Sequence, residues 1–309
     1  MGSIRLFSHV ELDRLQVIRA PQRIQMKRFL SEDHMDRRHF IAGAGLAVGF
    51  AKARTAVAQP ALDAEVRMLG QLPPLPDDLA NNADANPAPF VETATVGTAP
   101  PSDNEISQAF EILLNSPWAC DPLAVAQYFL AVGAGSYGQE YRQYVREWPV
   151  RANPLIYHFF SATRTKPEGD ATAWCAAFVN WCLVRARASG RDQIGKAPGF
   201  FSQGGSDFSD NVLKAHSTNN ASSGSFRCWP EKTSPQPGDL VVFRDSGTDG
   251  LTSVCRGSGH VAFFLAIPRS GVVRVLGGNQ SLKGSNGAVT VAEMSTSPGG
   301  RFMKFVRAI

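Results

Sequence analysis

One order of apolar patterns constrains this fold more than anything else in the chain: a helical run, then three strand-like runs. From Ala173 to Ala188 apolar residues recur at helical spacing, whereas Asp239–Arg244, His260–Ile267 and Val272–Leu276 are short runs rich in Val, Leu and Phe. Loops bearing Pro and Gly separate the strands: Pro235 to Gly238, Gly257 to Gly259, and Gly277-Gly278 at the end of the last. Helices first and an antiparallel meander later imply an α+β domain.

Upstream of that domain the sequence announces two further helix starts. Ser102 and Glu105 have the spacing of a capping box ahead of an apolar run. Asp121-Pro122 pairs an N-cap with proline at the first helical position, for a helix running to Gly133. The aromatic, charged stretch from Tyr137 to Val150 carries no assignable element. Residues 59–101 are rich in Pro, Ala, Asn and Asp and read as a mostly extended linker. The expected organisation is a leader over 1–58, that linker, a helical extension over 102–152 and a hydrolase-like domain over 153–309.

The leader is a targeting segment. Arg37-Arg38 stand directly before the short Gly/Ala-rich apolar stretch Phe40 to Phe50, and Ala56-Val57-Ala58 precedes Gln59-Pro60. A basic region, a weakly apolar core and a small-x-small site form a cleavable signal, expected to be cut after about Ala58. Paired arginines before a weak apolar core resemble twin-arginine export signals, which implies the twin-arginine export machinery as a partner and a periplasmic or extracellular destination. The signal spans about 35–58, and Met35 has the features of a start, so residues 1–34 read as an over-extended start. No apolar run approaches the ~20 residues of a membrane span, so no stable membrane anchor is expected.

With 309 residues, 43% hydrophobic and 19% charged, the chain suits a soluble globular protein of one or two domains. Its net charge of +4 belongs to the leader, because residues 1–58 hold ten of the 31 basic and five of the 27 acidic residues. The body, with 21 basic against 22 acidic residues, lacks the basic cluster of a nucleic-acid partner.

The chemistry centres on Cys175. Thr172 or Asp170 is positioned to cap the helix, which leaves Cys175 in its first turn, where unpaired N–H groups and the macrodipole favour a thiolate. An isolated buried cysteine on such a face is usually a small core residue, but this one has company. Gly257-Ser258-Gly259-His260 puts a histidine at the start of an apolar strand, where a fixed backbone can aim an imidazole at a helix N-terminus. His158, in an aromatic run, and His216, in a polar loop, have no such placement. If the strands from His260 and Val272 form a hairpin, Asn279 returns towards His260, and its amide oxygen can accept the second imidazole N–H. Gly277-Gly278-Asn279 is equally ordinary turn chemistry.

The order Trp174-Cys175-Ala176-Ala177-Phe178-Val179-Asn180-Trp181-Cys182, then Pro237-Gly238-Asp239-Leu240-Val241-Val242-Phe243, then Gly259-His260-Val261, then Gly277-Gly278-Asn279-Gln280 resembles the CHAP superfamily. These are cysteine- and histidine-dependent amidohydrolases and peptidases with a papain-like core, related to NlpC-type cell-wall peptidases. The resemblance covers roughly Asn153 to Ile309. It implies a nucleophile at a helix N-terminus packed on an antiparallel sheet, with extra helices at the N-terminal side. It also implies Cys175 as nucleophile, His260 as base, Asn279 as orienter and a structural role for Asp239. Peptidoglycan amide bonds are the implied substrate, cut through an acyl-thioenzyme. The same residues acting on another amide or ester, in a protein or lipid, and a non-catalytic wall-interaction protein are the alternatives. The loop Asn219 to Pro235 looks like an insertion in that framework.

Four cysteines remain: Cys120, Cys182, Cys228 and Cys255. Within one helix Cys182 would sit about 10 Å along the axis from Cys175, beyond the ~7 Å Cα limit of a disulfide. Cys228 and Cys255, flanking the first strand in loop-like sequence, are the expected pair. The paired short spacings of zinc ligands are missing, so neither metal nor cofactor is expected.

Overall fold

The computed structural model describes residues 62–64, 66, 73–75, 77–80, 97–169, 172–197, 204–245, 254–282 and 285–308. The leader, its cleavage site and Asp170 lie outside the described residues. Every described residue belongs to the compact unit that starts at Arg54.

Helix α1 spans Asp103–Asn115 and starts as its sequence implies: Ser102 accepts from the Glu105 amide, and the Glu105 carboxylate accepts from the Ser102 N–H at 2.6 Å. Helix α2, Pro122–Ala134, is capped by Asp121, whose carboxylate accepts from the Leu123 N–H at 2.9 Å, and ends at Gly135 with φ +90°. A 3-10 helix over Gln139–Val145 follows, then α3 at Pro154–Phe159, capped by Asn153. Helix α4 is Cys175–Arg185, and all eleven of its residues are buried. Such a helix has no solvent face to spare and lies within the core of this unit. Phe129 of α2 and Phe159 of α3 meet Phe178 and Trp181 of α4 edge-on at 5.2–5.9 Å between centroids. The helical extension and the α4 region thus share one core. A short α5, Asp210–His216, and a 3-10 helix at Ser223–Cys228 precede the sheet.

Five strands form one antiparallel sheet in the order β4-β3-β2-β1-β5, so the molecule is α+β as its sequence implies. They are β1 Leu240–Arg244, β2 Gly259–Arg269, β3 Val272–Leu282, β4 Ser285–Ser295 and β5 Phe302–Val306. Three of them match the expected runs; β4 and β5 had no expectation. Strand alternation divides the sheet's side chains between two faces. Val261, Phe263 and Leu276 join the core under the helices, while Ala262, Phe264, Val273 and Val275 form a smaller cluster on the other face with Val241 and Phe243. Asp239 anchors the turn before β1: its carboxylate accepts from the Gln236 N–H at 2.7 Å.

The stretch 59–101, expected as an extended linker, is held to the body at its described residues. Asp78 pairs with Arg151 at 2.7 Å, the Pro73 carbonyl accepts from Arg146 at 2.6 Å, and Leu79 is 2% exposed. Single leucines and prolines dock where a longer apolar pattern is absent, which composition does not reveal.

Candidate active site

Cys175 is the first residue of α4 and lies 3% exposed at the edge of a cleft that also holds Phe243, Gly259, His260, Asn279 and Gln280. The expected cap is different. Trp174 stands at the N-cap position with no side-chain capping bond, and the Thr172 hydroxyl accepts instead from the Glu168 N–H at 3.0 Å. Backbone N–H groups of Val261, Ala176 and Cys175 itself reach the sulfur and favour the thiolate. Burial outweighs them and pushes the thiol up, so the expected low thiol pKa is not what the resting site provides. The helix N-terminus is present, but desolvation of the charge is the larger effect.

His260 opens β2 opposite Phe243 of β1 and is 8% exposed. The turn before it is clamped by the segment that looked like an insertion. Cys228 and Cys255 form a disulfide with a Cα separation of 5.1 Å, Arg227 donates to the Ser258 carbonyl at 2.8 Å, and the Gly257 carbonyl accepts from the Gly224 N–H at 2.9 Å. Closing a loop of 27 residues' separation contributes about 3 kcal/mol in the chain-entropy model. The backbone that delivers the imidazole is therefore fixed from outside the strand.

The imidazole's partner is Gln280. Nε2 of His260 lies 3.2 Å from Gln280 Oε1. Gln280's amide orientation is determined by its own bonds, since its Nε2 donates to the carbonyls of Gly277 (3.2 Å) and Thr290. The oxygen must then face the ring, so Nε2 of the neutral imidazole carries the proton and Nδ1 is left as the base.

The expectation that Asn279 holds the ring is corrected here, and the reason is a β-bulge. Phe263 pairs with Leu276, a register that, if continued, brings Asn279 opposite His260. Between Gly277 and Gln280 the β3–β4 register shifts, and Asn279 takes the left-handed φ of +54°. One extra residue exchanges the faces of everything beyond it. Gln280 thereby gains the His260 side of the sheet. Asn279 turns to the helix side, where its amide donates to Glu147 Oε1 at 3.1 Å and accepts from the Trp174 backbone N–H at 3.2 Å. Gly278 allows the approach, because a Cβ there would collide with the Trp174 ring and lie 2.9 Å from the Phe178 Cβ.

Residues 167–279 match the family model of the CHAP domain. The chain carries a CHAP domain. CHAP domains are cysteine- and histidine-dependent amidohydrolases, so an amide-containing substrate of the peptidoglycan kind follows for the class. Neither the curated proteins nor the solved structures gave a match to the chain. The CHAP match stops at Asn279, one residue before the imidazole's partner, and β4, β5 and Glu147 lie outside it. Glu293, a wall residue of the cleft, pairs with Arg269 at 2.7 Å. Among the described residues no group of three or more His, Cys, Asp or Glu is placed to hold a metal ion, and no helix is long and apolar enough to cross a membrane.

Burial also governs the histidines. His260 and the fully buried His158 are both pushed down to about 4, desolvation being the largest cause in each. The unfolded chain takes up these protons near pH 6.5, the folded one only near pH 4. Their contribution is therefore complete above pH 6.5 and is lost as pH falls towards 4, by about 3 kcal/mol per histidine. Melting temperature followed from pH 7.5 to 4.5 should decline steadily below 6.5. A flat profile would contradict neutral, buried imidazoles.

Proposed function

We propose that this chain is an exported cysteine amidohydrolase or peptidase that cleaves amide bonds in peptidoglycan. The observation that carries the reading is Cys175 at a helix start, in one cleft with a histidine whose Nε2 is held by Gln280. With both partners neutral at rest, His260 Nδ1 takes the Cys175 proton as the sulfur attacks the scissile carbonyl carbon. The imidazolium then gives that proton to the departing amine nitrogen, leaving an acyl thioester on Cys175. Water, deprotonated by His260, attacks the thioester carbon, and the thiol recovers its proton as the acid leaves. Gln280 Oε1 holds the tautomer throughout and accepts a stronger hydrogen bond from the imidazolium. Asn279 is the third residue named for the site, and in this reading it supports the start of α4.

The test is digestion of purified peptidoglycan with mass analysis of the released fragments. New amine and carboxyl ends at one bond type are expected, and their identity separates a sugar–peptide amidase from a stem or cross-bridge endopeptidase. Intact peptidoglycan together with cleavage of a protein or ester substrate would move the reading to another acyl transfer.

Export is part of the proposal. It is supported by Arg37-Arg38 ahead of the short apolar stretch and by the disulfide between Cys228 and Cys255, which suits an oxidising compartment. Changing Arg37 and Arg38 together to Lys should leave the protein in the cytoplasm, read by fractionation and blotting. Delivery equal to wild type would remove the twin-arginine route.

A further inference from the structure

Glu147 lies outside the CHAP match, in the segment between the 3-10 helix Gln139–Val145 and Pro149. This segment runs along the edge of β4: the Glu147 N–H donates to the Gly287 carbonyl at 2.9 Å, and Arg146 bridges to Ala288. The half-buried carboxylate gathers three donors. Oε1 accepts from the Trp174 indole N–H at 2.9 Å and from the Asn279 amide at 3.1 Å, and Oε2 accepts from the Gly287 N–H at 2.9 Å. No ion pair of Glu147 is present among the described residues. Only a carboxylate offers acceptors on both atoms, so glutamine at this position would turn an NH2 group towards a donor.

Two of those partners adjoin the reacting groups. Trp174 precedes Cys175, and its ring stacks beside Phe159 at 6.1 Å between centroids. Asn279 precedes Gln280, occupies the bulge and accepts from the Trp174 N–H. One carboxylate therefore ties the residue before the nucleophile to the residue before the histidine's partner. We propose that Glu147 is a positioning residue that sets the placement of Cys175 against the His260–Gln280 pair, through Trp174 and Asn279.

The inference rests on Cys175 being the nucleophile, and the experiment keeps the two apart. Three quantities are measured on the full chain carrying Glu147→Gln: kcat and KM on peptidoglycan, alkylation of Cys175 by iodoacetamide, and melting temperature. A displacement of the thiol of around 1 Å should lower kcat about tenfold to a hundredfold. KM should stay near wild type, and the alkylation rate should change while the protein remains folded. Trp174→Phe removes a single donor and should give a smaller loss in kcat. Combined with Glu147→Gln it should add little, because both changes break the same link. Wild-type kcat and alkylation in a folded Glu147→Gln protein would overturn the proposal, as would fully additive losses in the double variant. Activity persisting in Cys175→Ala would instead overturn the nucleophile reading, and the alkylation rates would still report whether Glu147 positions the thiol.

Discussion

Replacing Cys175 with Ala is expected to reduce peptidoglycan hydrolysis by a factor on the order of 10^4 or more, to the limit of detection. The sulfur forms the bond to the acyl group, and replacing the thiol with a hydrogen removes the atom that attacks. The fold should survive the change. Cys175 is small, and removing one buried atom costs about 1 kcal/mol, which in a domain of this size lowers the melting temperature by about 2–4 °C. Fragment release measured by mass analysis, together with a calorimetric melt, checks both halves. A folded Cys175→Ala protein that still turns over peptidoglycan would end the cysteine mechanism.

Gln280→Ala should produce the second largest loss, about tenfold to a thousandfold in kcat with KM little changed, because the partner of the imidazole acts mainly on the transition state. Gln280→Glu distinguishes orientation from packing. A carboxylate facing Nε2 still accepts the ring N–H and favours the imidazolium, so the His260 pKa should rise from its depressed value, measurable by NMR titration. The same variant loses the donors to Gly277 and Thr290, and some stability with them. Asn279→Asp should behave differently, since its carboxylate would meet Glu147 rather than the ring, and should destabilise without lifting the His260 titration. Should Gln280→Ala keep wild-type kcat while Asn279→Ala loses it, the orienting role returns to Asn279.

Much of this site was legible from the chain alone. The helix headed by Cys175 and the strand headed by His260 both appear where apolar spacing and Gly-bearing turns put them. The pairing of Cys228 with Cys255 also appears as expected. Glu147 was not legible. Its stretch is aromatic and charged without a period, and its partners Trp174 and Gly287 are 27 and 140 residues away. The thiol's bias was misread for a related reason. A helix N-terminus is visible in sequence, whereas the burial that opposes it depends on every element packed around the sulfur.

The choice between Asn279 and Gln280 marks the boundary. Alternation along β3 and its hairpin with β2 determine that the chain near 279 returns to His260, because side-chain faces repeat every two residues and the pairing runs from Phe263–Leu276. Which of the two amides faces the ring depends on one left-handed residue, and nothing local to Gly277-Gly278-Asn279-Gln280 requires it. The Trp174 ring against Gly278 and the Glu147 carboxylate on the Asn279 amide hold that bulge, and both come from distant parts of the chain. Periodicity determined the helix at Cys175 and the strands β1, β2 and the start of β3; the face presented at the site was decided by long-range packing, which periodicity does not encode.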